Sequence, residues 1–369
     1  MAHLLLDVNS IVPFYTVGSA PGVGRSTMEL LKALSEIPSL PFKLTLFSRN
    51  LKGIGAKNLP DGPYRKLHLP IPNRPLYKKV EDSLHIKKLL TNYDFLHIPH
   101  NTDSCEDLSK TIFTIHDLIV YRYPEMWGLT NEDRAEFERI AKGCRAIVTC
   151  SESSKQDIVK FWKVPDEKVT VIPWGLNREI FSPSEESVEI KGLGSEFFFS
   201  ASCNHPRKNT PLVAEAFAEY VKMGGNAQLV LLNPKADDLK GFETLVDSKK
   251  ILIISNASDR ELVWLYTNAK ASIVASLYEG FGLPVLESLG CHTQVICARN
   301  SSLVEAGGEV VDYLPELTAQ ALTAKLLQYD SCPKSATIDI PATERHLSNF
   351  TWSGCAHRYI AFWERLLAR

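Results

Sequence analysis

The sequence predicts an α/β protein made of two doubly wound domains in series, facing a central cleft. Three observations carry that prediction. Short, wholly apolar runs alternate with amphipathic stretches along the first half of the chain. The alternation is interrupted once, from Asn177 to Gly194, by a segment rich in Ser, Pro, Glu and Gly that reads as an interdomain linker. It then restarts and runs almost to the end. Apolar strands alternating with helices imply a parallel sheet covered on both faces. A chain of 369 residues is also longer than one hydrophobic core comfortably fills.

Taken in order, Leu4 to Val8 is the first strand candidate. Residues 24–36 form a helix with Met28, Leu30, Leu31 and Leu34 on its apolar face. Residues 44–47, 95–98, 112–115, 146–149 and 169–172 are further short strands, and Ser151 caps a helix running through Val159 and Phe161. Past the linker, 197–200, 229–232, 251–254, 271–274 and 294–297 read as strands. Helices are expected at 211–220, with Pro211 in the first turn, and at 259–268. The expected domains are therefore 1–180 and 181–350. In sheets of this kind ligands bind outside the carboxyl ends of the strands.

Composition narrows the function classes. A net charge of −2 gives no global field toward nucleic acid. No apolar run is long enough to span a bilayer, and the apolar start stops at Asp7, so it reads as a buried strand rather than a signal peptide. The eight cysteines contain no CxxC pair and read as reduced core thiols of a cytoplasmic protein. Between residues 49 and 88 cations outnumber acids. That excess is either a solvated face or a peripheral contact with anionic lipid at the inner face of the membrane.

Four motifs carry chemistry. Glu279-Gly280-Phe281-Gly282-Leu283-Pro284-Val285-Leu286-Glu287 follows a buried strand and opens a helix at Pro284. This places the backbone N–H groups of Phe281, Gly282 and Leu283 at a helix N-terminus, where an electron-rich group is favoured. Glu279 and Glu287 flank that point and can hold hydroxyls on two parts of one extended ligand; the plain alternative is a loop glycine pair with a dipole-favoured glutamate. Second, Arg207 and Lys208 in Asn204-His205-Pro206-Arg207-Lys208-Asn209 suit phosphate oxygens, or form a solvated basic turn. Third, His116 and Asp117 end the strand 112–115 on the ligand side of the sheet, as a polar pair that positions substrate or as a satisfied histidine with a capping aspartate. Fourth, Pro21-Gly22-Val23-Gly24-Arg25-Ser26-Thr27 is a glycine-rich loop that lacks both the third glycine of a dinucleotide fingerprint and the G-K-[ST] of a P-loop. His97, His100 and His116 lack a convincing fourth ligand for a metal.

Together these segments resemble the retaining glycosyltransferases of family four, which have the GT-B fold of two Rossmann-like domains. The resemblance includes the mannosyltransferase-like enzymes of polysaccharide assembly and rests on the E-x7-E segment, the P-R-K-N stretch, and the H-D-L…Y-P-E pattern at His116 to Glu125. It implies that Glu279, Phe281, Gly282 and Leu283 contact a donor sugar, that Glu287 contacts the ribose, that Lys208 with Arg207 binds the diphosphate, and that Gly24 approaches it. His116, Asp117 and Glu279 would form the reaction centre. Ser255 and Asn256, ending the strand 251–254, would line the base pocket. Residues 351–369 would form a helix crossing back to the N-terminal domain. The implied reaction moves a sugar, mannose first, from a GDP- or UDP-linked donor to a hydroxyl of a glycan or lipid-linked saccharide acceptor, with no metal or other cofactor. The missing D-x-D fits that metal independence. A GT-B-shaped sugar-nucleotide epimerase or hydrolase, and a non-catalytic sugar- or nucleotide-binding protein, are the alternatives.

Overall fold

The computed structural model describes residues 1–11, 22–51, 58–72, 74–100, 105–201, 203–334 and 337–368. Pro21, Lys52, Lys57 and Ser202, which figure in the motifs or in the basic stretch, lie outside the described residues. The chain divides into two compact units, Met1–Gly175 with Thr351–Arg369, and Leu176–Phe350.

The first unit holds seven strands: β1 His3–Asp7, β2 Lys43–Arg49, β3 Arg65–Leu69, β4 Phe95–Ile98, β5 Thr111–Thr114, β6 Ala146–Thr149 and β7 Val169–Val171. Every pairing is parallel, in the order β3-β2-β1-β4-β5-β6-β7. The unbroken apolar character of these strands follows from burial on both faces. Leu4, Leu6, Leu44, Leu46, Ile112 and Val148 feed one core, while their chain neighbours Leu5, Phe47, Phe113 and Ile147 feed the other. The order reverses at β1, so the switch point lies between β1 and β4.

The helix Gly22–Ser35 buries Met28, Leu30, Leu31 and Leu34 in the first of these cores. It begins two residues earlier than its periodicity alone indicates. Gly22 to Thr27 are its first turns rather than a loop, and the Ser26 and Thr27 hydroxyls donate back to the Val23 carbonyl.

The last helix, Trp352–Leu367, is capped by Thr351 and packs Cys355, Ala356, Tyr359, Phe362, Trp363 and Leu366 into the same core. Gly175 allows the two chain passages to meet: a Cβ there would lie 2.2 Å from the Trp352 nitrogen. His97 ties this helix to the sheet. Trp363 Nε1–H donates to His97 Nδ1 at 2.8 Å, so the ring proton sits on Nε2, which donates to Thr114 Oγ1 at 2.8 Å. Both ring nitrogens are committed to packing, which removes His97 from the metal alternative.

The second unit holds β8 Phe197–Ser200, β9 Gln228–Leu232, β10 Ile251–Ile254, β11 Ser272–Val274, β12 Val295–Cys297 and β13 Asp312–Tyr313, parallel in the order β10-β9-β8-β11-β12-β13. Its switch point lies between β8 and β11. The expected linker 177–194 proves to be part of this unit, and the first boundary falls at 175 rather than 180. Phe181 is buried against Tyr266, and Arg178 donates to the Gly290 carbonyl at 3.1 Å and to Glu344 at 2.9 Å. Composition recorded the exposure of this segment but not its anchors. All eight cysteines are free thiols, six of them buried.

Burial pushes the His97 imidazole down to about 3 and that of His116 to about 4. In the unfolded chain both take up protons near pH 6.5. The unfolded state therefore binds more protons between about pH 6.5 and 4, and stability present above that window is lost as the pH falls through it. The melting temperature should drop on acidification across this range, less steeply in His97→Gln. A flat profile would contradict the burial of two neutral imidazoles.

Candidate active site

In the second unit the loops after β8 and β11 flank the switch point. The chain leaves β8 through a single 3-10 turn, Pro206–Lys208, which the His205 side chain caps by accepting the Arg207 N–H at 3.2 Å. Asn209 then adopts a left-handed conformation, φ 59°, and opens the helix Thr210–Lys222. This turn sends the Arg207 and Lys208 side chains across to the loop after β11. Lys208 Nζ reaches Glu279 Oε1 at 2.7 Å, and Arg207 Nη1 pairs with Glu279 Oε2 and donates to the Tyr278 carbonyl at 3.2 Å. The Leu277 N–H closes the junction by donating to the Arg207 carbonyl at 2.7 Å.

Glu279 is buried, and burial alone would raise its carboxyl. Lys208 and then Arg207 outweigh that effect and hold it down to about 2. Ser276 Oγ also donates to Oε1 at 2.8 Å. The Glu279 main chain is fixed on both sides, its N–H donating to Ser301 Oγ at 3.0 Å and its carbonyl accepting from Ser302 Oγ at 2.8 Å. Asn300 secures the same loop by donating to the Ser276 carbonyl at 3.0 Å. Sequence reasoning missed Ser276, Asn300, Ser301 and Ser302. The signal present was the polar triplet 300–302, which follows the buried strand β12 after Ala298 and Arg299.

Gly282 has φ 104° and is the N-cap residue of the helix Leu283–Gly290, with Pro284 in the first turn as the motif predicts. A Cβ at Gly282 would meet the Ala306 Cβ at 3.0 Å, so both conformation and space require glycine. No side chain caps this helix. Phe281 turns its ring into the interior against Phe350. Glu287 lies one turn into the helix, half-buried, and accepts a hydrogen bond from Tyr266 Oη at 3.0 Å. Ser255 and Asn256 follow β10, the edge strand, and are exposed. β9 separates β10 from β8, and neither residue joins the Arg207–Lys208–Glu279 cluster.

In the first unit His116 follows β5 and is buried beneath Trp174, ring centroids 5.2 Å apart. Its carbonyl accepts from Ser154 Oγ at 3.0 Å and Cys150 Sγ at 3.3 Å. Its Nε2 contacts the Pro99 carbonyl at 3.1 Å and must donate there, which leaves the Nδ1 lone pair buried with no hydrogen-bond partner among the described residues. His116 shares a small cavity with Ser26 and Thr27 of the first helix, Trp174 and Tyr359, so the glycine-rich segment and the H-D-L motif do converge. Gly24 is buried within that first helix. Asp117 is half-buried and accepts the Ile119 N–H at 3.1 Å, the geometry of a turn cap.

Two doubly wound parallel units, one with a cationic turn and a buried carboxylate meeting at its switch point, define a GT-B protein. Sucrose-phosphate synthase from Thermosynechococcus elongatus has the same fold over the whole of both chains, with a TM-score of 0.73 at 18% identity. The chain belongs among the family 4-like glycosyltransferases. Residues 21–180 match the model of Glycosyltransferase Family 4, and 184–335 that of Glycosyl transferases group 1. The O-antigen chain mannosyltransferase B of Escherichia coli is 24% identical over 92% of this chain and 94% of that protein. The MMP alpha-(1->4)-mannosyltransferase of Mycolicibacterium hassiacum is 28% identical over 63% of this chain, a match spanning 57% of that protein's length.

Removing one cation from a buried carboxylate leaves its charge under-compensated. Lys208→Met should destabilise the second unit by about 3 kcal/mol, the lower end for breaking a buried pair, because Arg207 remains. Denaturant titration followed by far-ultraviolet circular dichroism, beside the parent protein, would measure it. An unchanged midpoint would refute the pairing.

Proposed function

We propose that this protein transfers mannose from a nucleoside diphosphate mannose to a hydroxyl of a glycan or lipid-linked saccharide, with retained anomeric configuration. The observation that carries the reading is the junction of Arg207, Lys208 and Glu279 at the switch point of the second unit. The mannosyl preference rests on the relatives' names, and the glycan acceptor on the O-antigen enzyme among them.

The roles follow from the chemistry of each group. Lys208 spends one of its three N–H donors on Glu279, so the ammonium has further donors for diphosphate oxygens, and Arg207 adds a second cation. The uncapped helix end at Gly282 supports the same developing negative charge. Glu287, which accepts from Tyr266, stands one turn into the helix opened at Gly282, where its carboxylate would take the ribose diol. In the reaction the bond from the anomeric carbon to the diphosphate oxygen breaks and the acceptor oxygen bonds to that carbon. The acceptor proton passes to an oxygen of the departing diphosphate. His116 is neutral at pH 7 and meets a sugar hydroxyl through its Nδ1 lone pair, which makes it an acceptor and not a cation or a proton donor.

His116→Ala should lower kcat about a hundredfold or more, on the scale of one lost polar transition-state contact, with nucleoside diphosphate affinity nearly unchanged. Glu287→Ala should do the converse, weakening the bare nucleoside diphosphate by about 1–3 kcal/mol in calorimetry. A folded His116→Ala enzyme with normal kcat would end the assignment.

Neutralisation of the diphosphate by Lys208 and Arg207 also implies turnover without a divalent ion. Initial rates should be the same in excess chelator, and a rate abolished by chelator and restored by magnesium would refute that electrostatic role.

A further inference from the structure

The segment 74–90 is folded inside out. It forms the helices Pro75–Ser83 and Ile86–Leu90, joined at Leu84 and His85. A surface helix ordinarily turns its apolar face to the core and its charges to water. Here the only two acids of the segment point inward. Glu81 is fully buried, with its carboxylate 2.7 Å from Lys87 Nζ and 3.3 Å from Arg49 Nη1, and Asp82 lies 2.6 Å from the same Lys87 Nζ. The apolar side chains point outward instead. Leu76, Tyr77, Val80, Leu84, Leu89 and Leu90 make up six of the thirteen large apolar side chains exposed among the described residues, concentrated in fifteen consecutive positions. Leu76, Val80 and Leu84 recur every four residues, so they share one face.

The cations of the region sort into two groups. Arg49 and Lys87 are consumed by the buried network, and Lys66 pairs with Asp61 at 2.7 Å. Arg74, Lys79 and Lys88 remain exposed beside the apolar residues, and 74–90 exposes no carboxylate. The basic stretch 49–88 is thus not a uniform solvated face. Its outer surface from 74 to 90 combines apolar and cationic groups.

We propose that this surface docks on an anionic lipid bilayer, with the leucines entering the interface and Arg74, Lys79 and Lys88 meeting headgroup phosphates. Two short helices lying side on, with cations flanking an apolar stripe, have the chemistry of an interfacial anchor. A second copy of this chain is disfavoured as the occupant, because self-pairing would bring three cations against three cations with no exposed acid in the segment to compensate. The proposal does not depend on the sugar chemistry.

The test is co-sedimentation of the full chain with phosphatidylcholine vesicles, with and without phosphatidylglycerol. The protein should pellet only with the anionic vesicles, and less at high salt. Lys79→Gln with Lys88→Gln should weaken partition about 25-fold, about fivefold for each cation lost near an anionic surface. These two changes touch only exposed side chains, so folding is not at stake. Leu76→Ser, Leu84→Ser and Leu89→Ser together should abolish pelleting, while the melting temperature and nucleoside diphosphate affinity stay at the parental values. Absence of pelleting with anionic vesicles, or variants that pellet like the parent, would overturn the proposal. So would a dimer in analytical ultracentrifugation that the leucine substitutions dissociate without any vesicle binding.

Discussion

Lys208 and Arg207 keep Glu279 ionised in its buried position, and Glu279 in turn draws the two cations together. The mutual dependence of these three charges organises the second unit. It holds the turn after β8 against the loop after β11, the two strands that flank the switch point. It also gives Ser276, Ser301 and Ser302 their purpose, since each hydroxyl meets Glu279 at its carboxylate, its N–H or its carbonyl. Such a preorganised charge cluster spends little on reorganisation when an anionic group meets it.

The first unit solves a different problem with the same topology. Its candidate group, His116, is not embedded among charges but stripped of them. Burial beneath Trp174 keeps the imidazole neutral, and the Pro99 carbonyl fixes which nitrogen carries the proton. His97 shows the same device put to structural use: both nitrogens are consumed by Thr114 and Trp363, and its product is the docking of the last helix. Two buried neutral histidines, 19 positions apart in the chain, thus differ in whether the second ring nitrogen has a partner among the described residues.

A second charge cluster sits at the carboxyl ends of β1 and β2. Asp7 is held ionised chiefly by His100 and Arg49 against the cost of its burial, and Arg49 continues through Glu81 to Lys87. That network turns the carboxylates of the helix Pro75–Ser83 inward and so forces its apolar residues out. The unusual surface of 74–90 is a consequence of interior electrostatics rather than of local propensity.

The sequence by itself determined the fold class, because strands buried on both faces must be apolar throughout and the helices between them must be amphipathic. It also determined the helix opened by Pro284 and the importance of Gly282, since a backbone conformation at φ 104° leaves a chemical mark in the residue type. It placed Arg207, Lys208, Glu279 and His116 at strand ends because motif spacing fixes distance along the chain. Only the tertiary structure decided which of these groups meet. The Lys208–Glu279 contact joins residues 71 positions apart, and the serines that secure it come from a third loop. Composition misjudged 177–194 because Ser, Pro and Glu report exposure while one buried Phe181 decides the anchoring. It likewise merged Arg49 and Lys87 with the surface cations. A charge reads the same in sequence whether it faces water or a buried carboxylate, and only the partner brought by folding tells them apart.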